Sequence, residues 1–141
     1  MSQTSFEIAT AHSAASFLTM AQAGPYQLVT GPGSEEILQG LEKQDIHTAL
    51  RNCVLSSSVG QNARAVEDML DDLIIDSGEV FFPTVSDLTP DEIAPIIWSY
   101  QHTSRRLIVL SQYEALGHEI DDLLTSHQTA DASRSPAEQI R

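Results

Sequence analysis

The sequence predicts a mainly helical, single-domain protein of about five helices, and three observations carry that expectation. Between Ser34 and Ile75 apolar residues recur at helical spacing, helix-start residues stand where the runs begin, and the stretch beyond Pro95 to His127 holds one glycine and no proline. The chain of 141 residues is about one domain long and large enough to bury a core without disulfide or metal staples. Residues 1–127 are expected to form one globular helical domain, of which 1–33 are poorly defined, followed by a disordered polar tail over 128–141.

The first thirty-odd residues carry almost no charge. Phe6 to Ala23 reads as one or two helices with Phe17, Leu18 and Met20 as apolar residues, broken by Gly24-Pro25. Residues 26–30, Tyr26-Gln27-Leu28-Val29-Thr30, alternate weakly and suit a short strand or an extended connector closed by Gly31-Pro32-Gly33. Ser34 before Glu35 and Glu36 then places a capping hydroxyl and two carboxylates at the positive end of a helix reaching about Gln44. Asp45 caps the next, in which Ile46, Ala49, Leu50, Cys53 and Val54 make a one-sided stripe ending near Ser56 to Gly60. A third helix is expected from about Asn62 to Ile75, with Val66, Met69, Leu70, Leu73 and Ile74 facing inward and Gly78 as its left-handed stop.

A second short strand is expected around 79–85, where Val80-Phe81-Phe82 meets Pro83, a residue confined to sheet edges. Thr89-Pro90-Asp91-Glu92 combines a capping threonine, proline at the first helical position and a capping-box glutamate. Pro95 should bend or restart that helix. Beyond it one long helix, or two end to end, is expected, with Val109, Tyr113, Leu116, Ile120 and Leu123 as a bundle seam. Leu107 to Leu110 is apolar on every side, so a strand is the alternative that periodicity does not exclude, leaving 106–113 open between helix and strand.

Charge is the most informative feature. Twenty acids against seven bases give a net −13. Such a field repels nucleic acid and anionic lipid, so neither is expected as a direct partner. The N-terminus lacks the basic and apolar regions of an export signal, and lone Cys53 reads as a packed thiol, so a cytoplasmic setting is expected. Residues 62 to 92 hold nine acids, Glu67, Asp68, Asp71, Asp72, Asp76, Glu79, Asp87, Asp91 and Glu92, against Arg64 alone. They read either as a solvated face or as a steering surface for a basic protein.

No nucleophile elbow, phosphate loop or HExxH supports catalysis. Glu114, His118 and Asp122 step along one helix face, as a solvent-facing polar row does, and no cofactor or metal is expected. Around Ile93 and Ile97, Trp98 and Tyr100 add apolar surface beyond one buried stripe, either a central core helix or a patch for a partner or a second copy. The function expected is therefore a non-enzymatic acidic protein-binding module, an inhibitor, an immunity or antitoxin factor, or a small chaperone or adaptor. Its candidate contacts are Glu67, Asp68, Asp71, Asp72 and Asp76 with Ile93, Ile97, Trp98 and Tyr100. One alternative is a DNA mimic that blocks a nucleic-acid-binding protein. Another is an all-helical metal-dependent nucleotide pyrophosphohydrolase using Glu67-Asp68-x-x-Asp71 and Glu119-x-x-Asp122 around magnesium.

Overall fold

Five parallel strands, rather than a bundle of helices, organise the chain. The computed structural model describes residues 6–78 and 80–132. Strand β1 (Glu7–Ala11) leads to helix α1 (Ala14–Ala21), β2 (Tyr26–Thr30), α2 (Ser34–Gln39), a 3-10 turn at Lys43–Asp45, and α3 (Ile46–Leu50). Then follow β3 (Cys53–Val59), α4 (Ala63–Ser77), β4 (Thr84–Asp87), α5 (Pro90–Ser99), β5 (Arg106–Leu110) and α6 (Ala115–Ala132). The strands lie in the order β1-β5-β2-β3-β4, every neighbouring pair parallel. The all-helical expectation is thus corrected to an α/β fold.

Each face of the sheet must be covered, because a parallel sheet arises from helical crossovers and is buried on both sides. On one face Phe17, Ile37, Leu38, Leu50, Val66 and Leu70 of α1 to α4 pack on Tyr26, Leu28, Ile108 and Leu110. On the other, Ile93 and Ile97 of α5 and Leu116, Ile120 and Leu124 of α6 pack on Val29, Val59, Leu107 and Val109. The path from β1 through β4 advances along the sheet with its helices on the first face. The return from β4 to β5 runs in the opposite direction on the second face, as the handedness of parallel crossovers requires.

Several elements differ from expectation for identifiable reasons. Phe6 to Ala23 divides into β1 and α1. The stripe drawn through Ile46, Cys53 and Val54 crosses from α3 into β3, whose Ser56, Ser57 and Ser58 are buried on both sides. The strand expected over 79–85 begins only at Thr84; Val80 and Phe82 are buried in the extended segment before it, and Glu79 lies outside the described residues. Pro95 sits inside α5 without ending it. The long helix expected beyond Pro95 is interrupted by β5, whose Leu107, Ile108, Val109 and Leu110 are all buried. Val109 therefore belongs to the sheet, Tyr113 is exposed, and the buried stripe of α6 is Leu116, Ile120 and Leu124 at four-residue steps, with Leu124 in place of Leu123. Helix α6 continues through Ala132, beyond the boundary expected at 127, and residues 133–141 of the expected tail lie outside the described residues. Residues 26–30, α4 with Gly78 in the left-handed conformation, and the start of α5 at Pro90 agree with expectation.

Side chains in or beside the strands donate to backbone carbonyls at or near the helix ends. The Tyr26 hydroxyl donates to Ala49 O at 2.6 Å, Asn52 Nδ2 to Ala21 O at 2.9 Å, and Gln27 Nε2 to Ile97 O at 3.1 Å. Arg106 donates to Met20 O and Gly24 O. Burial raises the Tyr26 phenol well above its usual value and pushes the Cys53 thiol up to about 12, so Cys53 is an inert core group. Among the described residues no helix is long and apolar enough to cross a membrane.

Candidate functional site

Helix α4 turns Ala63, Val66 and Leu70 into the core, which leaves its acids on the remaining surface. Asp68, Asp71, Asp72 and Asp76 are exposed, and Glu67 is half-buried. The row Glu67 and Asp71 leans over β4: Thr84 Oγ1 donates to Asp71 Oδ1 at 2.9 Å, and Ser86 hydrogen-bonds Glu67. The Glu67 carboxyl is raised above its usual range by burial and by the charges of Asp71 and Asp68, against the weaker help of Arg64 and Ser86. Among the described residues none of these acids is in an ion pair. The row is a like-charge cluster held next to a strand.

Among the described residues that strand is an edge of the sheet. In a parallel ladder successive residues aim their amide groups at alternate neighbours. Pro83 O accepts from Ser56 N at 3.0 Å and Asp87 O from Gly60 N at 3.1 Å, so residues 83, 85 and 87 face β3. The amide N–H and C=O of Thr84 and Ser86 therefore point outward, where no strand pairs with them among the described residues. Three large apolar side chains surround this edge in solvent: Phe81 is 89% exposed, Leu88 70% and Ile75 of α4 74%.

The structure separates the other expected contacts from the acids. Ile93 and Ile97 are 0% exposed, buried between α5 and the sheet, so the surplus of apolar residues there belongs to the core. Half-buried Trp98 stacks on His127 with ring centroids 6.0 Å apart and donates from Nε1 to Asp131 Oδ2 at 3.0 Å, and Tyr100 caps the end of α5. The two carboxylate patterns suggested for magnesium lie on opposite faces of the sheet, Glu67 and Asp71 on α4, Glu119 and Asp122 on α6. They cannot share an ion. Among the described residues no group of three His, Cys, Asp or Glu is placed to hold a metal.

Open parallel sheets usually take ligands at the carboxyl ends of their strands, where successive connections leave on opposite faces. Three neighbouring pairs meet that description here, β1 with β5, β5 with β2 and β3 with β4, and the junction of β5 with β2 is filled. Gly31 N donates to Leu110 O at 2.9 Å, Gln112 N to Pro32 O at 2.9 Å, and Ser111 Oγ to Pro32 O at 3.1 Å. The space a side chain at residue 31 would occupy is taken by Leu116. Small clefts remain on either side, about 280 Å³ beside Pro32, Glu35, Gln61 and Asn62, and about 300 Å³ beside His12, Ser13, Glu36 and Gln112. His12 Nδ1 bonds Ser111 O at 2.9 Å and its Nε2 lies 3.5 Å from Glu114. Neither cleft is lined by lysine or arginine. A third cleft of about 400 Å³ lies between β1 and α6, lined by Glu114, His118 and Asp121 above Ile8 and Thr10; Asp122 of the expected polar row does not line it.

No family model matches the chain, and no curated protein matches it either. Among solved structures the chain is similar to a murein peptide ligase from Psychrobacter arcticus, with a TM-score of 0.56 and 11% identity, over 89% of this chain and 28% of that one. The likeness is one of fold alone. It supports the α/β architecture, and the chain spans under a third of that ligase's length. Sequence reasoning identified the acids and placed Pro83 at a sheet edge, but missed Thr84, Ser86, Phe81 and Leu88 as a group. The signal available was Val80-Phe81-Phe82-Pro83 itself: in an extended segment alternate residues face opposite ways, so Phe81 faces out when Val80 and Phe82 are buried.

Proposed function

We propose that the chain is a non-enzymatic protein-binding module that engages a partner with a basic surface through the acids of α4. The observation supporting this reading is the row Glu67, Asp68, Asp71, Asp72 and Asp76, none of them in an ion pair among the described residues, with the Glu67 carboxyl raised partly by its own neighbours. Like charges one helical turn apart weaken a helix, and a cationic partner relieves that repulsion. A cytoplasmic setting belongs to the same proposal and fits buried, unbridged Cys53. Inhibitor and chaperone roles, expected alongside a helical bundle, have no support in the fold or the likenesses and are set aside.

The test is a titration with a lysine-rich peptide at low and high salt. The triple variant Asp68→Lys, Asp72→Lys, Asp76→Lys changes exposed residues only, and the charge-matched control reverses three other exposed acids, Glu119→Lys and Asp122→Lys on α6 with Glu7→Lys on β1. Wild type and control should bind alike, with affinity falling as salt screens the charges over roughly 8–10 Å, and the triple variant should associate more slowly and bind more weakly. Equal loss in both variants would reduce the effect to net charge and overturn the reading.

A further inference from the structure

We infer that the partner contributes an extended, basic segment that joins the sheet as a sixth strand along β4; the inference rests on the protein-binding reading above. The edge offers what strand addition requires. Thr84 and Ser86 direct one N–H and one C=O each into solvent, and main-chain hydrogen bonds of this kind supply affinity without regard to sequence. Side chains supply selectivity, because those of an added strand alternate between the two faces of the sheet. On the α4 face, where Thr84 and Ser86 meet Asp71 and Glu67, the incoming side chains run beside the acid row and must be lysine or arginine. On the opposite face they run beside Val85 and Asp87.

Phe81 and Leu88 stand at the two ends of the edge with 89% and 70% exposure. They are separated by seven steps of about 3.3 Å, or roughly 23 Å if fully extended, which sets an occupant of about seven residues. Two apolar side chains left in water at both ends of an unpaired strand are a hazard that sheet proteins ordinarily remove. Their retention here is explained by a segment that covers them.

Charge decides between the candidate occupants. A second copy would bring its own acids against Glu67, Asp71 and Asp87 across the joined edges, in a chain of net charge −13. Like-charge juxtaposition at an interface opposes association. A basic segment meets attraction along the same path.

The experiment uses the full chain and two synthetic seven-residue peptides of equal charge, one alternating lysine and valine, the other identical but N-methylated at alternate amides. Strand addition requires the first to bind at least about tenfold more tightly, since N-methylation removes its ladder donors. Hydrogen exchange at the Thr84 and Ser86 amides should slow on binding while that at Ile8 and Thr10 on β1 stays unchanged. Ser86→Pro removes an outward N–H and no bond to β3, and should lower affinity for the alternating peptide about tenfold. Equal binding of both peptides, with salt dependence intact and exchange at β4 unchanged, would overturn strand addition while leaving the acidic-surface reading in place. Failure of both peptides to bind at low salt would sink both. A dimer that Ser86→Pro dissolves would place a second copy on the edge and also overturn the inference.

Discussion

The two edges of the sheet are built from similar lengths of backbone yet present different surfaces. At β1, the residues that face away from the partly covered side are Glu7, Ala9 and Ala11, and none of the large exposed apolar side chains lies on it. Helix α6 comes close over its other side, with Gly117 against Thr10 and Ile8. At β4, Phe81, Leu88 and Ile75 are exposed around the strand and α4 sets acids beside it. Among the described residues no strand pairs with the outer side of either edge, and β4 alone joins that open side to apolar and charged groups that can select a partner. An edge strand by itself is a liability, and its flanking residues determine whether it is shielded or used.

The strongest way to break this contrast is to remove the support beneath β4. Leu70 is 0% exposed and holds α4 on the sheet. Leu70→Ala should cost about 2–5 kcal/mol in urea unfolding, and amide exchange should accelerate at β4 more than at β1. Uniform acceleration at both edges would show that the sheet opens as one unit.

A smaller effect distinguishes the two edges through their glycines. A Cβ at Gly117 would lie 3.0 Å from Thr10 Oγ1, so Gly117→Val should cost about 1–3 kcal/mol by forcing α6 from β1. Gly78 has open space but φ of 75°, so Gly78→Ala should cost about 1 kcal/mol through backbone conformation, without disturbing packing. Thermal unfolding measures both. A larger loss at Gly78 than at Gly117 would reverse the assignment of the tighter edge.

The smallest effect concerns charge at β4. Because the Glu67 carboxyl is raised in the folded state, its ionisation weighs against folding at neutral pH, and the stability it favours is complete only below the ordinary carboxylate range. Glu67→Gln should therefore raise Tm slightly at pH 7, with the advantage shrinking to nothing as pH falls through that range. An advantage that persists at pH 3 would assign the gain to something other than charge.

How much of this was legible differs by element. Helix α4 was readable because Val66, Met69, Leu70 and Leu73 lie on one side and Gly78 ends it; the start of α5 was readable because Pro90 suits the first helical position, although the Thr89 hydroxyl bonds the Glu92 carboxylate and caps no backbone N–H. The sheet was not, because a strand buried on both faces has no alternation to detect. Strand β3 is hardest of all, since Ser56, Ser57 and Ser58 look like a polar helix end and are buried only because neighbouring strands and helices enclose them. The acids of the candidate site were visible as composition. Their position beside an open edge was not, because it depends on β4 ending the sheet, a consequence of chain topology beyond any local window.

The placement of β5 has a consequence for how the protein comes into being. Glu7 pairs with Arg106 and Gln27 with Leu107, so β1 and β2 are not neighbours and β5, the last strand among the described residues, is inserted between them. A growing chain emerging from the ribosome holds β2, β3 and β4 as a possible three-strand unit, while β1 waits through nearly a hundred residues of synthesis for its neighbour. Contacts closed over such distances slow folding, and until residue 110 has emerged β1 and the β1-facing side of β2 are both bare. The sheet is at its most exposed until β5 has been made and has filled the gap between β1 and β2.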